Sequence, residues 1–251
     1  MKVFITGASG FIGSAVVSEL AESGHEVVGL ARSDASASKI KSLGCNVSVI
    51  RGTLEDLEVL KKGATECDGV IHLGFVHDFD NYDKCCEIDR RACVAMLDTL
   101  IGTQKPFIFT NGTFALSEGK LAFEKDRRDQ HIHNLRGINE EIVLAYKSRG
   151  VKVMGTRLAP TVHGKGDTTF IPMLIQIAKT SGKSAYIGNG QNLWAAVHRL
   201  DVANLYTLIL EKGCTGSIYH GVAEQGIQTK DIANTIGEIL SVPVVAVPQE
   251  N

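Results

Sequence analysis

A turn with glycine at every third position follows a short, mostly apolar segment at the start of the chain. Residues 2–6 are β-type, Gly7, Gly10 and Gly13 come next, and helix-forming residues follow. A dinucleotide pyrophosphate requires this order of strand, turn and helix. Gly7 can adopt the positive φ of a tight turn, Gly10 lets backbone amides approach phosphates, and Gly13 lets the helix lie close to the strand. The segment therefore predicts a nucleotide-binding turn, with a ligand-free glycine-rich turn as the alternative.

Beyond this turn, short β-type segments alternate with amphipathic helical segments, a pattern that builds a parallel sheet with helices on both faces. We predict an α/β fold with a Rossmann-type, doubly wound parallel sheet in residues 1–157. A mixed segment, residues 158–251, returns to the sheet and forms a small C-terminal substrate lobe. The predicted strands are residues 2–6, 26–30, 46–50, 69–73, 106–110 and 152–157. The predicted helices are residues 11–23, 35–43, 55–62, 82–101, 134–148, 170–180 and 229–240.

Composition and charge exclude several classes of partner. The chain has 251 residues, 44% of them hydrophobic, and a formal net charge of -2, which gives no electrostatic reason to expect nucleic acid. No apolar stretch approaches the roughly 20 residues of a membrane span, and the first apolar run is too short for a secretory signal. Its six cysteines show no Cys-x-x-Cys spacing. These features predict a cytoplasmic monomer or homodimer without a membrane or nucleic-acid partner.

Four motifs occur in a fixed order along the chain. They are TGASGFIG at residues 6–13, IHLG at residues 71–74, RLAPTVHG at residues 157–164 and AVHRLDVA at residues 196–203. Together they resemble an atypical extended short-chain dehydrogenase/reductase, in the branch of NAD-dependent epimerases, dehydratases and dihydroflavonol-type reductases. The resemblance implies a bound nicotinamide dinucleotide and a substrate lobe that is shorter than is usual in this family.

The resemblance and the glycine turn together give a set of expected cofactor contacts. They are Gly7, Ser9, Gly10, Phe11, Ile12, Gly13, Arg32, Ser33, Thr53, Leu54, Leu73, Gly74, Phe75, Thr110, Asn111, Arg136, Pro160 and Thr161. Within this set, the residues after the second predicted strand decide which cofactor is expected. An acidic side chain there would bind the ribose of NAD, but this chain has Arg32 and Ser33. We therefore predict NADP(H), with Arg32 on the 2′-phosphate and Asp34 turned away as a helix cap. An ordinary exposed loop arginine is the alternative for Arg32.

The proton donor that is usual in this superfamily, a tyrosine with a lysine four residues later, is missing from the sequence. Alignment through Glu140 places Arg136 at the lysine position and Ile132 at the tyrosine position. Arg136 could keep the contact to the ribose, but a guanidinium does not titrate as a lysine does. A surface arginine is the alternative.

Other side chains remain as candidates for acid catalysis. Thr113 is the hydroxyl nearest to Gly112, where the family commonly has a catalytic serine or threonine, and His163 replaces a tyrosine of the family motif. Further histidines that could titrate near neutral pH are His131, His133, His198 and, ranked lower, His72 and His77. We predict no metal site, because His131 and His133 have no third ligand at a recognisable spacing. Trp194 either caps a substrate or anchors the small lobe.

Three functions are consistent with these residues. The first is an NADPH-dependent reductase of a small carbonyl compound, with Thr113, Arg136 and His163 as the candidate catalytic residues. The second is a catalytically degenerate NADP(H)-binding sensor or interaction module, which the missing tyrosine and lysine favour. The third, a nucleotide-sugar epimerase or dehydratase, fits the fold but needs acid and base groups that the sequence does not show.

Overall fold

The computed structural model describes residues 1–116, 119–131 and 134–248. In its first part the elements are β1 (Lys2–Thr6), α1 (Phe11–Glu22), β2 (Glu26–Ala31), α2 (Asp34–Lys41), β3 (Val47–Arg51), α3 (Leu57–Glu66), β4 (Gly69–His72), α4 (Tyr82–Thr99), β5 (Pro106–Gly112), α5 (Leu135–Ala145) and β6 (Lys152–Leu158). They are followed by β7 (Thr161–His163), α6 (Phe170–Ser181), β8 (Ser184–Ile187), β9 (Leu193–His198), α7 (Arg199–Lys212), β10 (Ile218–Gly221), β11 (Glu224–Gln228), α8 (Thr229–Leu240) and β12 (Val244–Val247).

The central sheet is parallel throughout, with the strand order β3-β2-β1-β4-β5-β6-β10. Its order reverses between β1 and β4, and in open α/β sheets ligands bind beyond the carboxyl ends of the strands at such a point. The prediction of a doubly wound parallel sheet is confirmed.

The buried residues of the strands show that both faces of this sheet are covered. Phe4 and Phe107 join one apolar core with Leu60 of α3 and Met96 of α4. Neighbouring residues such as Ile5 point to the other face and are also fully buried. Burial on both sides explains why the central strands are apolar without alternation.

The chain divides into two compact units. The first contains Met1–Leu158 and Leu200–Gly221, and therefore the whole central sheet together with nearly all of α7. The second contains Ala159–Arg199 and the chain from Val222 onward. Within the second unit, β7 pairs parallel with β9, β9 pairs antiparallel with β11, and β8 pairs parallel with β12.

The structure differs from the prediction at α3 and at α7. A helix was predicted at residues 55–62, but α3 begins at Leu57 because Thr53 and Asp56 form a turn before it. The Asp56 carboxylate accepts bonds from the Thr53 backbone N–H at 2.7 Å and from its hydroxyl at 2.8 Å. The sequence also gave no indication of α7, whose buried positions extend from Val202 to Leu210.

All six cysteines are free thiols. Among the helices of the described residues, none combines the length and the apolar character that crossing a membrane requires.

Candidate active site

The glycine turn between β1 and α1 is tightly packed against neighbouring backbone. Gly7 has φ +71°, and a Cβ on it would lie 2.8 Å from the Gly74 nitrogen. A Cβ on Gly13 would lie 2.1 Å from the Gly7 carbonyl oxygen. Any side chain at either position would displace backbone, so the predicted roles of Gly7 and Gly13 agree with the geometry.

The start of α1 is suited to an anion. Gly10 is its N-cap residue and offers no side chain to accept bonds from the first-turn amides. Such amides carry the positive end of the helix dipole. Ser9, Phe11 and Ile12 are half-buried here, and Gly10 is exposed. The arrangement fits the pyrophosphate of a dinucleotide.

Two basic side chains lie near the carboxyl end of β2. Arg32 is exposed, and Arg51 at the end of β3 lies in register with Ala31. An Arg51 Nη1 atom lies 3.2 Å from Asp34 Oδ1. Asp34 is thus neutralised by an arginine that sequence reasoning missed, although a basic residue at the end of the next strand was a visible signal.

The prediction that Asp34 caps α2 is wrong. Ser33 is the N-cap residue, with extended backbone, and its hydroxyl oxygen accepts a bond from the Ser36 N–H at 3.1 Å. Asp34 is the first residue of the helix, and its carboxylate is fully exposed beside Arg51.

Thr53 and Leu54, both predicted adenine contacts, follow β3. The hydrogen bonds that Thr53 donates to Asp56 lower the pKa of that carboxyl. Leu54 lies beside Gly74, because a Cβ on Gly74 would be 3.0 Å from Leu54 Cδ2 and 2.9 Å from Thr6 Oγ1. Gly74 therefore brings the residues after β4 close to β1.

A buried polar network links β1, β4, α4 and α5 beneath this point. His72 Nδ1 lies 2.8 Å from Thr6 Oγ1, and His72 Nε2 lies 3.2 Å from Asp89 Oδ1. Asn139 Nδ2 donates to Asp89 Oδ2 at 2.9 Å, and Arg136 Nη1 lies 2.8 Å from Asp89 Oδ1. Asp89 and Asn139 were not singled out by sequence, because neither belongs to a local motif.

Every polar atom of His72 finds a partner if the ring is neutral with its proton on Nε2. That N–H then donates to Asp89, while the Thr6 hydroxyl donates to Nδ1 and accepts the Gly74 N–H at 2.9 Å. His72 is 1% exposed, so the network holds it as a structural residue.

Asp89 is the anionic centre of the network. Burial by itself raises the pKa of its carboxyl, but the Arg136 cation and the hydrogen bonds from His72 and Asn139 outweigh burial and hold that pKa below its ordinary value. The carboxylate therefore stays charged and anchors the guanidinium.

Arg136 is held on several sides. Besides its ion pair with Asp89, it donates from Nη2 to the Thr110 carbonyl oxygen. Its Cζ lies 4.3 Å from the centroid of the Phe75 ring and 5.1 Å from that of Phe109. The side chain is 13% exposed, so the alternative of a surface arginine does not describe it. The guanidinium is a fixed cation at the carboxyl ends of β4 and β5.

The end of β5 contributes Thr110 and Asn111 to different networks. The Thr110 hydroxyl lies 2.6 Å from the hydroxyl of Tyr206, which is fully buried, and burial raises the pKa of that phenol. Asn111 Nδ2 donates to Glu140 Oε2 at 3.1 Å. The residue at the end of β5 that contacts Arg136 is Thr110. Thr113 begins a short 3-10 helix after the strand.

Glu140 belongs to the scaffold beside the site. Arg157 Nη2 donates to Glu140 Oε1 at 2.6 Å and Arg157 Nε donates to Oε2 at 3.0 Å, and both side chains are buried. This bidentate pair ties α5 to β6 and thereby fixes the helix that carries Arg136.

The loop between β4 and α4, together with the first residue of α4, places three aromatic rings near Arg136. The rings of Phe75 and His77 meet edge to face with centroids 5.3 Å apart, and the Tyr82 ring lies 6.0 Å from Phe75. Burial and the Arg136 cation lower the pKa of His77, whereas burial raises the pKa of Tyr82. His77 is nevertheless exposed to solvent on part of its surface.

The second unit contains the other predicted residues. His163 and His198 are paired in register on β7 and β9, with ring centroids 5.5 Å apart. Trp194 stacks on Phe170 at 4.6 Å and donates from its indole nitrogen to Thr161 Oγ1 at 2.6 Å. These contacts favour the interpretation of Trp194 as an anchor within this unit. Pro160, half-buried, precedes Thr161.

Two residues named in the sequence argument, Ile132 and His133, lie outside the described residues. His131 is exposed and donates its backbone N–H to Asp129 Oδ1 at 2.9 Å.

One set of side chains has the spacing of a metal site. The ligand atoms of His72, Asp89 and Cys93 lie within 4.8 Å of one another. Burial raises the pKa of the Cys93 thiol, and the Asp89 carboxylate is already paired with the Arg136 guanidinium. A protonated thiol and an adjacent guanidinium both oppose a cation, so these residues do not fit a metal ion.

Comparison with known proteins finds a family profile and several sequence relatives that match this chain. A profile of the NAD dependent epimerase/dehydratase family matches residues 3–109. The whole chain is 61% identical to the uncharacterized protein YLL056C of Saccharomyces cerevisiae, and the match covers 84% of that protein. Over 87% of its length it is 27% identical to the 4-hydroxy-2-methyl-3-oxo-4-farnesyl-3,4-dihydroquinoline-1-oxide ketoreductase of Stigmatella aurantiaca, of which 67% is covered.

Among solved structures, the chain is similar to dTDP-glucose 4,6-dehydratase of Bacillus anthracis in complex with NAD. The TM-score is 0.81 at 18% identity, and the match covers 100% of this chain and 86% of the other. That likeness confirms the Rossmann-like fold. The profile match shows that the chain carries a domain of the NAD dependent epimerase/dehydratase family, at residues 3–109.

Proposed function

We propose that this protein is an NADPH-dependent reductase of a small carbonyl compound. The observation that carries the proposal is Arg136, a guanidinium held by Asp89 and the Thr110 carbonyl against the Phe75 ring. Such a cation can stabilise the negative charge that develops on a carbonyl oxygen during reduction. The ketoreductase among the relatives supports the same class of reaction.

The residues of the first unit fit the cofactor at three places. The turn around Gly7 and the amides at the start of α1 suit the pyrophosphate. Arg32, with Arg51 neutralising Asp34, suits a 2′-phosphate on the adenosine ribose. Residues 73–75 and Thr110 suit the nicotinamide end by family resemblance. When bound, the reduced nicotinamide supplies a hydride.

The fixed charge of Arg136 favours reduction over epimerisation or dehydration. An epimerase or dehydratase begins by removing a proton from an alcohol, which requires a base. A guanidinium remains protonated and cannot accept that proton. A reductase instead forms an alkoxide, which takes up a proton readily and is stabilised by a nearby cation. An epimerase or dehydratase activity therefore ranks last.

A second candidate is a sensor that binds NADP(H) without turnover. The observation in its favour is that Arg136 already has two protein partners, Asp89 and Thr110, in addition to its two aromatic neighbours. Partners of this kind could make Arg136 purely structural.

Titration and turnover together distinguish the two candidates. We expect NADPH to quench or enhance the fluorescence of the protein at lower concentrations than NADH. We also expect loss of NADPH absorbance with at least one member of a panel of aldehydes, ketones and β-keto esters. Tight binding of NADPH without turnover on the whole panel would favour the sensor, and absence of binding would exclude both.

A further inference from the structure

Acid groups near Arg136 differ in whether a substrate could reach them. Tyr206 is fully buried, and its hydroxyl is bonded to Thr110. His72 is also buried, with Thr6 and Asp89 at its two ring nitrogens. Neither side chain is accessible to a bound carbonyl compound.

Two more accessible groups follow β4: His77 in the loop and Tyr82 at the start of α4. The Tyr82 hydroxyl interacts with the Cys86 thiol by a hydrogen bond one helical turn away, and its pKa is raised. His77 lies edge-on to Phe75, and Phe75 in turn lies under the Arg136 guanidinium. Only His77 of these two titrates near neutral pH in ordinary surroundings.

Partial burial and a nearby cation make the protonated form of His77 a stronger acid. Burial is the main cause of its lowered pKa, and the Arg136 cation on α5 adds to it. Tyr82, the first residue of α4, has its ring 6.0 Å from that of Phe75, and its raised pKa keeps it neutral. Asp89 carries the compensating negative charge, but it is buried and paired to Arg136.

We propose that His77 is the proton donor of the reaction, in place of the tyrosine that the family ordinarily uses. The inference rests on the proposed reductase function. The hydride from reduced nicotinamide forms the new C–H bond, and the π-electron pair of the carbonyl moves to oxygen. That oxygen takes the N–H proton of the His77 imidazolium, which gives the alcohol and a neutral imidazole. Because His77 is exposed, water returns the proton to the ring.

The first test is the substitution His77→Gln in the full chain, with any carbonyl compound that the wild-type protein reduces. We expect kcat to fall by about 100-fold or more, the usual contribution of a general acid, with the affinity for NADPH unchanged. The matched control is His25→Gln, which alters a histidine that contacts Glu211 just before β2, at the opposite ends of the strands, and should leave kcat as it is.

The pH dependence of kcat tests whether His77 donates the proton, because a merely structural histidine would not change it. The imidazolium is the donating form, so wild-type kcat is highest below the pKa of His77 and falls as pH rises through it. That inflection lies below the ordinary histidine value and should disappear in His77→Gln. The protein without substrate allows a second measurement, in which NMR titration of the His77 ring should give a lowered pKa that rises in Arg136→Gln.

The outcomes distinguish failure of His77 as the donor from failure of the reductase function. Normal kcat in His77→Gln, or loss of activity in Tyr82→Phe instead, overturns His77 as the donor and leaves the reductase function standing. A His77 pKa that Arg136→Gln does not change also counts against the donor. A wild-type protein that binds NADPH but reduces no carbonyl compound overturns the reductase function and the donor with it.

Discussion

The glycine turn after β1 and the Arg136 network at β4 and β5 lie at the ends of neighbouring strands but are built differently. The turn consists of backbone within one stretch of seven residues, Gly7 to Gly13. The network consists of side chains from separate elements, with Asp89 from α4, Arg136 from α5 and His72 from β4. Local backbone geometry depends on the type of residue at each position, whereas the network depends on how distant helices pack.

Removal of Asp89 should have the largest effect. Asp89→Ala leaves the Arg136 guanidinium without its buried counter-charge and removes the acceptor of His72 and Asn139. We expect the free energy of unfolding at neutral pH to fall by about 3–5 kcal/mol, measured by denaturant unfolding. Glu58→Ala, which removes one partner of an exposed ion pair with Lys61, is the control and should change little. A small change in Asp89→Ala would contradict the role of Asp89 as the buried counter-charge of Arg136.

A side chain in the glycine turn should weaken cofactor binding next most strongly. Gly13→Ala forces a Cβ against the Gly7 carbonyl oxygen, so the turn must open. We expect the Kd for NADPH to rise by about 100-fold, equivalent to roughly 2.7 kcal/mol. Gly226→Ala is the control, because a Cβ there meets its nearest atom, on Leu193, only at 3.6 Å. Unchanged affinity in Gly13→Ala, measured by calorimetry, would contradict a phosphate site at this turn.

The smallest effect concerns the choice between the two cofactors. Arg32→Glu places a carboxylate where the 2′-phosphate is proposed, and this carboxylate can accept a hydrogen bond from the ribose hydroxyl of NADH. We expect the ratio of NADPH to NADH affinity to fall by about tenfold, roughly 1.4 kcal/mol, measured by fluorescence titration. Arg127→Glu reverses the charge of another exposed arginine and should leave the ratio unchanged. A ratio that stays the same in Arg32→Glu would remove the argument for NADP(H).

The two regions also differ in how far the sequence predicted them. Glycine spacing predicted the turn because steric exclusion of a Cβ is a property of each position. The network was only partly foreseen. Arg136 was placed by alignment, but Asp89 and Asn139 have no local signature, and His72 was ranked low as a catalyst without any indication of its partners. Arg51 was missed although it ends the strand next to β2, since its contact with Asp34 joins two elements.

By itself, the sequence determined the order of strands β1 to β6 and of the helices between them, the parallel sheet and the position of the glycine turn. Apolar periodicity and glycine conformational freedom act over a few residues, so they can be recognised without the fold. Tertiary structure alone decided that Arg136 is a paired and largely buried cation, that His72 is structural and that the His77 ring packs against Phe75. Those properties arise from burial and from distances between residues far apart in the chain, which exist only once the helices pack on the sheet.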